Sequence, residues 1–142
     1  MTAKEYLLQL RKYERAAKNK QKEYDRIRKS LIFLQGIAYD KDRVQTSPKD
    51  TLSETIAELV DAENEAVAAI AQYIDMYNDI VDKINSLSRP EYVEILSKRY
   101  LSETYQERRL VAIACDMDFS YERVKHMHGE ALQEFSQKFL ES

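Results

Sequence analysis

A chain of 142 residues with a net charge of −3 fits one ordinary domain, or a small domain with an elongated arm. Gly and Pro number two each, which leaves little of the turn chemistry that sheets need and points to an all-α fold. Cys115 is the single cysteine, so an internal disulfide is excluded, and no apolar run approaches the roughly 18 residues of a membrane-spanning helix.

The N-terminal stretch shows no signal-peptide core, and a reducing cytosol without a membrane partner is the expected setting. The first predicted element runs over about residues 2–38. Its apolar positions follow a 3-4 repeat through Ala3, Tyr6, Leu10, Tyr13, Ala17, Tyr24, Ile27, Leu31, Leu34 and Ala38, broken only at Lys20. A second element, about 51–87, carries Leu52, Ile56, Leu59, Ala66, Ile70, Tyr73, Tyr77, Ile80, Ile84 and Leu87, broken only at Glu63. Both stripes are long enough for a coiled-coil seam. Leu7, Val67, Ile74 and Val81 widen them, which favours burial in a bundle over an isolated pair.

Tyr39–Asp50, with Ser47-Pro48, is expected as a loop that lets the two helices fold back antiparallel. Residues 1–88 then form a coiled-coil-like helical hairpin arm, in which paired residue numbers sum to about 90. In that register Lys20 and Glu63 do not meet within one chain. They reach solvent or meet across a homodimer.

Charge is unevenly spread. Residues 1–30 hold ten Lys/Arg and four Asp/Glu, whereas residues 50–88 hold nine acids and one base, Lys83. The basic face of Lys4, Arg11, Lys12, Arg15, Lys18, Lys22, Arg26 and Lys29 is expected to partner the acidic second helix, the alternative being phosphates or a docked protein.

Three further helices are predicted, over about 89–101, 104–117 and 120–139, forming a C-terminal unit over 89–142. Capping boxes stand at Thr2/Glu5, Thr51/Glu54, Ser88/Glu91 and Thr104/Glu107, and Pro90 suits a first helical turn. Ser120 caps the last helix, with Arg123 in its first turn, where a cation opposes the helix dipole unless an anion or water receives it. The expected core is Val93, Leu96, Tyr100, Leu101, Leu110, Ile113, Ala114, Met117, Phe119, Val124, Met127, Ala131, Leu132 and Phe135.

Two amphipathic helices joined by Asp118-Phe119-Ser120 are the sequence form of a helix-turn-helix. In DNA-binding versions of this motif the second helix enters the major groove. The outward residues are Tyr121, Glu122, Arg123, Lys125, His126, Gly129 and Gln133. Lys and Arg suit phosphate or guanine, Gln suits adenine, and Glu accepts from cytosine. Gly129 permits close approach of a backbone. The competing reading is a solvated helix, since Glu122, Glu130 and Glu134 repel phosphate. His128 falls on the apolar stripe and is expected to be packed and hydrogen-bonded. Cys115 is expected to be buried and inert. His126 and His128 are too far apart around a helix to chelate one metal, and no nucleotide-binding or metalloprotease motif is present. No catalysis, cofactor, metal or small-molecule substrate is expected.

Two strings, Leu96-x-x-Arg99-Tyr100-Leu101 and Ile113-Ala114-x-x-Met117-x-Phe119-Ser120-Tyr121-x-x-Val124-x-x-Met127-His128-x-x-Ala131-Leu132, resemble region 4 of bacterial RNA polymerase sigma factors. The resemblance extends to small phage and prophage proteins that carry this region behind a coiled-coil arm. Thr2–Leu7 and the stretch Asp42–Pro48 are similar to that group as well. The chain departs from the family by lacking glycine after Arg99-Tyr100-Leu101, by a longer connection to Ile113, and by Asp118 where a second glycine is usual. The resemblance implies a DNA-binding regulator of transcription in a bacterial host, with duplex DNA, a second copy of the chain, or RNA polymerase as partner. The alternative expectation is a non-enzymatic interaction or assembly module that binds RNA polymerase or a phage packaging component.

Overall fold

The computed structural model describes residues 1–39 and 48–141, and among these there is no strand. The helices are α1 (Ala3–Tyr39), α2 (Pro48–Asn85), α3 (Pro90–Leu96), α4 (Leu110–Met117) and α5 (Tyr121–Phe139), and α3 runs on into a π-helical turn, Ser97–Leu101. The all-α class is therefore observed. Most of the loop expected over Tyr39–Asp50 lies outside the described residues, as does the Asp42–Ser47 part of the family-like stretch. No helix among the described residues is long and apolar enough to cross a membrane.

Helix starts follow the expected chemistry at only some sites. Thr2 and Glu5 form a reciprocal capping box, with both hydrogen bonds at 3.1 Å. The Thr51/Glu54 box does not form, because α2 already begins at Pro48, whose missing N–H costs nothing in a first turn. The Ser88/Glu91 box is also absent. The cap of α3 is Arg89, and Ser88 instead gives its N–H and hydroxyl to Glu134 of α5.

The predicted helix over 104–117 begins only at Leu110. Residues 103–107 are all exposed, so a helix there would bury no apolar face and would rest on propensity alone. Side chains hold this segment in a different path. Arg108 donates to the carbonyls of Ser102 (2.8 Å) and Glu103 (2.9 Å), Arg99 donates to the Arg108 carbonyl, and Glu107 accepts from Ser102 rather than capping Thr104.

The chain divides into two compact units. The first comprises Met1–Lys12 and Ile74–Ser142, so the ends of α1 and α2 belong with the C-terminal helices, beyond an 89–142 boundary. Its core contains the fully buried Leu7, Leu10, Ile80, Ile84, Ile95, Leu96, Ile113, Val124 and Phe135. Each such side chain is worth roughly 1.5–3 kcal/mol of transfer free energy. Tyr6 of α1 donates to Asp79 of α2 and accepts from Lys83 at 2.7 Å, while its ring meets Phe135 at 5.8 Å. Burial opposes charge on Asp79, but the hydrogen bonds from Tyr6 and Lys83 outweigh it and hold the carboxyl below its usual value. Arg11 donates to the carbonyls of Tyr100 and Ser102, both at 2.5 Å, and so closes the end of the π turn.

The second unit is Tyr13–Tyr73. Lys20 pairs with Glu65 at 2.9 Å, so the first break in the apolar repeat is resolved inside the chain by an ion pair. Residue numbers sum to 85 both here and for Tyr6 with Asp79, against the expected 90. Buried apolar residues in this unit are Ala17, Ile27, Ala62 and Ala66. Val67, expected in a core, is exposed, as is Ile74 at the edge of the first unit.

Candidate nucleic-acid interface

The connection between α4 and α5 is the three residues 118–120. Asp118 adopts left-handed geometry (φ 58°, ψ 35°), the conformation for which glycine is the usual choice. The N–H of Phe119 bonds to the Ala114 carbonyl (3.0 Å) and that of Asp118 to Cys115 (3.4 Å). This pairing is a Schellman stop, and it satisfies the last carbonyls of α4 while turning the chain. Ser120 then caps α5 by accepting from the Arg123 N–H at 3.2 Å. A helix stop with a left-handed residue followed directly by an N-cap makes this junction short and sharp.

The exposed Arg123 side chain has a partner inside the chain. Its guanidinium lies over the Phe119 ring, 4.0 Å from the centroid. The first turn of α5 is thereby tied to the turn that precedes it.

One face of α5 is buried through Val124, Met127, Ala131 and Phe135. His128 is on this side, and its Nε2 hydrogen-bonds the Tyr100 hydroxyl at 2.9 Å with the rings stacked at 19°. Burial, with help from the charges of Arg99 and Lys4, pushes the His128 imidazole down to about 4. His128 is therefore a neutral packed residue, as its place in the apolar repeat implied.

All seven outward residues, Tyr121, Glu122, Arg123, Lys125, His126, Gly129 and Gln133, are exposed. Glu122, Lys125, His126, Gly129 and Gln133 line one shallow depression of about 440 Å³ together with Glu130, while Tyr121 and Arg123 stand apart at the helix tip. A Cβ on Gly129 would meet nothing within 4 Å, so no packing inside the chain requires glycine there.

Two of the three carboxylates that argued against phosphate are already engaged. Glu130 accepts from the Tyr92 hydroxyl and pairs with His126. Glu134 accepts from Ser88 and lies within 4.0 Å of Lys138. Hydrogen bonding from Tyr92 and from Ser88 holds the two carboxyls below their ordinary range. Glu122 remains on the outer face beside Lys125.

Tyr92, Ser88 and Arg11 orient this unit; local pattern singles out no role for Tyr92 and assigns Ser88 to a helix cap and Arg11 to a basic face instead. Tyr92 and Tyr100 lie eight residues apart and so near one side of the chain, which was the available signal. Arg11 gave none, since its target carbonyls lie 89 and 91 residues away. Cys115 is exposed, contrary to expectation, because the buried side of α4 is taken by Ile113 and Ala114. A second concavity of about 340 Å³ lies between the π turn and α4, where Lys98 bridges Glu94 and Asp116.

No family model, no curated protein and no solved structure matches this chain.

Proposed function

We propose that the protein is a DNA-binding transcriptional regulator of phage or prophage type. In this reading α4 and α5 act as a helix-turn-helix, and α5 docks in the major groove through Tyr121, Glu122, Arg123, Lys125, His126, Gly129 and Gln133. The observation that carries it is the division of α5 into a buried face and a fully exposed one, behind a three-residue turn. The resemblance to sigma factor region 4 supports the same reading. α1 and α2 serve as an antiparallel arm for dimerisation or partner contact, and the protein works in the cytoplasm of a bacterial host without cofactor or catalysis.

A salt-titrated binding assay on phage-genome fragments tests this. Specific fragments bind more tightly than random duplex, and affinity falls as salt rises. Reversing Lys125 and His126 to Glu abolishes the preference. Equal binding to random duplex, or no loss on reversal, rejects the proposal.

A second reading, an assembly module that binds RNA polymerase or a packaging protein, is favoured by one feature. Val111 of α4 is an exposed large apolar residue, and the concavity at α4 is lined in part by Ala112 and Ile113, a surface that a partner protein could cover.

A further inference from the structure

The second unit, Tyr13–Tyr73, exposes more large apolar side chains than it buries. Its buried apolar residues are three alanines and Ile27. Ile32 (59% exposed), Phe33 (68%), Val60 (50%) and Val67 (60%) all face solvent, as do Ile37 and Ile56. Val60 and Val67 are seven residues apart, which stacks them along one side of α2. Such a pair of helices is half of a bundle, because hydrophobic stabilisation scales with the apolar area removed from water.

The charges say what covers it. Residues 13–37 hold seven bases and three acids, while residues 50–73 hold six acids and no base. Lys20 pairs with Glu65 between these segments. Lys22, Arg26 and Lys29 are exposed, as are Glu58 and Asp61. Lys20 is not one of the residues of the basic face expected to partner the acidic helix, and Lys18 of that face pairs with Glu14 on its own helix.

We infer that the Tyr13–Tyr73 unit is the interface with a second copy of this chain, forming a four-helix bundle in which α1 of each copy lies over α2 of the other. This deepens the arm's role in the proposed function, yet it rests on the second unit alone. Stacking α1 on α1 would set bases against bases. In the register of Lys20 with Glu65, the crossed arrangement sets Arg26 two residues from Asp61 and Lys29 two residues from Glu58, an offset of roughly 3 Å along the axis that long side chains span. It also covers the exposed stripe of Ile56, Val60 and Val67 on each α2 with the α1 of the other copy. Twenty-four residues of helix span roughly 36 Å, and two helices side by side offer a face of roughly 700 Å² per copy, which is the size of a standard interface.

The test is the mass of the full chain in solution without DNA, by sedimentation equilibrium up to about 100 µM. Wild type is expected at twice the chain mass. Val60→Lys with Val67→Lys is expected at the chain mass with unchanged helical circular dichroism, since both positions are solvent-facing in one copy. Val111→Lys, on the exposed side of α4, is expected to leave the dimer intact. In a charge-swap pair, Arg26→Glu with Lys29→Glu and Glu58→Lys with Asp61→Lys are each expected to dimerise weakly alone and to restore the dimer when mixed. A monomeric wild type overturns the inference, and so does a double-valine variant that still dimerises. Failure of the mixed pair overturns the crossed arrangement. None of these readouts involves α5, so failure here is distinguishable from failure of DNA binding.

Discussion

The guanidinium of Arg123 lies 4.0 Å from the centre of the Phe119 ring, joining the first turn of α5 to the residue that ends the turn before it. A cation in the first turn of a helix opposes the dipole, and the aromatic face provides the compensating negative charge. Replacing Arg123 with Ala removes an exposed cation–π contact and relieves the dipole clash. The two effects oppose each other, so the expected loss is at most about 1 kcal/mol, read from a denaturant midpoint. A loss several times larger would mean that Arg123 holds more than this ring.

Asp118 carries left-handed geometry on a residue with a Cβ. Gly in its place is expected to raise stability by about 0.5–1 kcal/mol, and Val to lower it by more than about 1 kcal/mol. Thermal unfolding of the two variants checks the opposite signs.

Gly129 sits in the middle of α5, where nothing inside the chain needs it. Gly129→Ala is therefore expected to stabilise the fold by about 0.5–1 kcal/mol. If a DNA backbone approaches this position, the same substitution weakens DNA binding. Stability and affinity moving in opposite directions would separate a functional glycine from an incidental one, and unchanged affinity would remove Gly129 from the interface.

His128 gives the fold a defined acid sensitivity. Its folded-state value of about 4 lies below the 6.5 of a solvated imidazole. Between these values the unfolded chain binds a proton that the folded chain does not. Stability therefore falls as pH drops from 6.5 towards 4 and levels off for this group below that. The ring is partly solvated, so the contribution is on the order of 1–2 kcal/mol. His128→Gln, which keeps a partner for the Tyr100 hydroxyl, is expected to flatten this part of the stability curve relative to wild type. An identical slope in both proteins would contradict the assignment.

What the sequence disclosed and what it withheld have different physical origins. The α5 residues that pack were readable because Val124, Met127, Ala131 and Phe135 recur at helical spacing, and the turn was readable because Asp118 and Ser120, residues suited to a helix stop and an N-cap, stand between two such patterns. The false helix start at Thr104 came from a local cap motif that had no apolar face behind it. The Ser88 box failed for a related reason: a distant carboxylate, Glu134, competed successfully for the same hydroxyl. Contacts such as Arg11 with the carbonyls of Tyr100 and Ser102 have no periodicity, so no local pattern announces them. Exposure of Val67 and Ile74 was likewise hidden, since a wide apolar stripe looks the same whether its cover comes from one chain or two.

The most direct test of the central claim, that the outer face of α5 reads duplex DNA, is selection from a random duplex library by wild type, Gln133→Ala and Lys125→Glu. Wild type is expected to enrich one motif, Gln133→Ala to lose preference at a single adenine-containing position, and Lys125→Glu to enrich nothing. A pool that stays random with wild type, or the same motif enriched by all three proteins, would contradict the account.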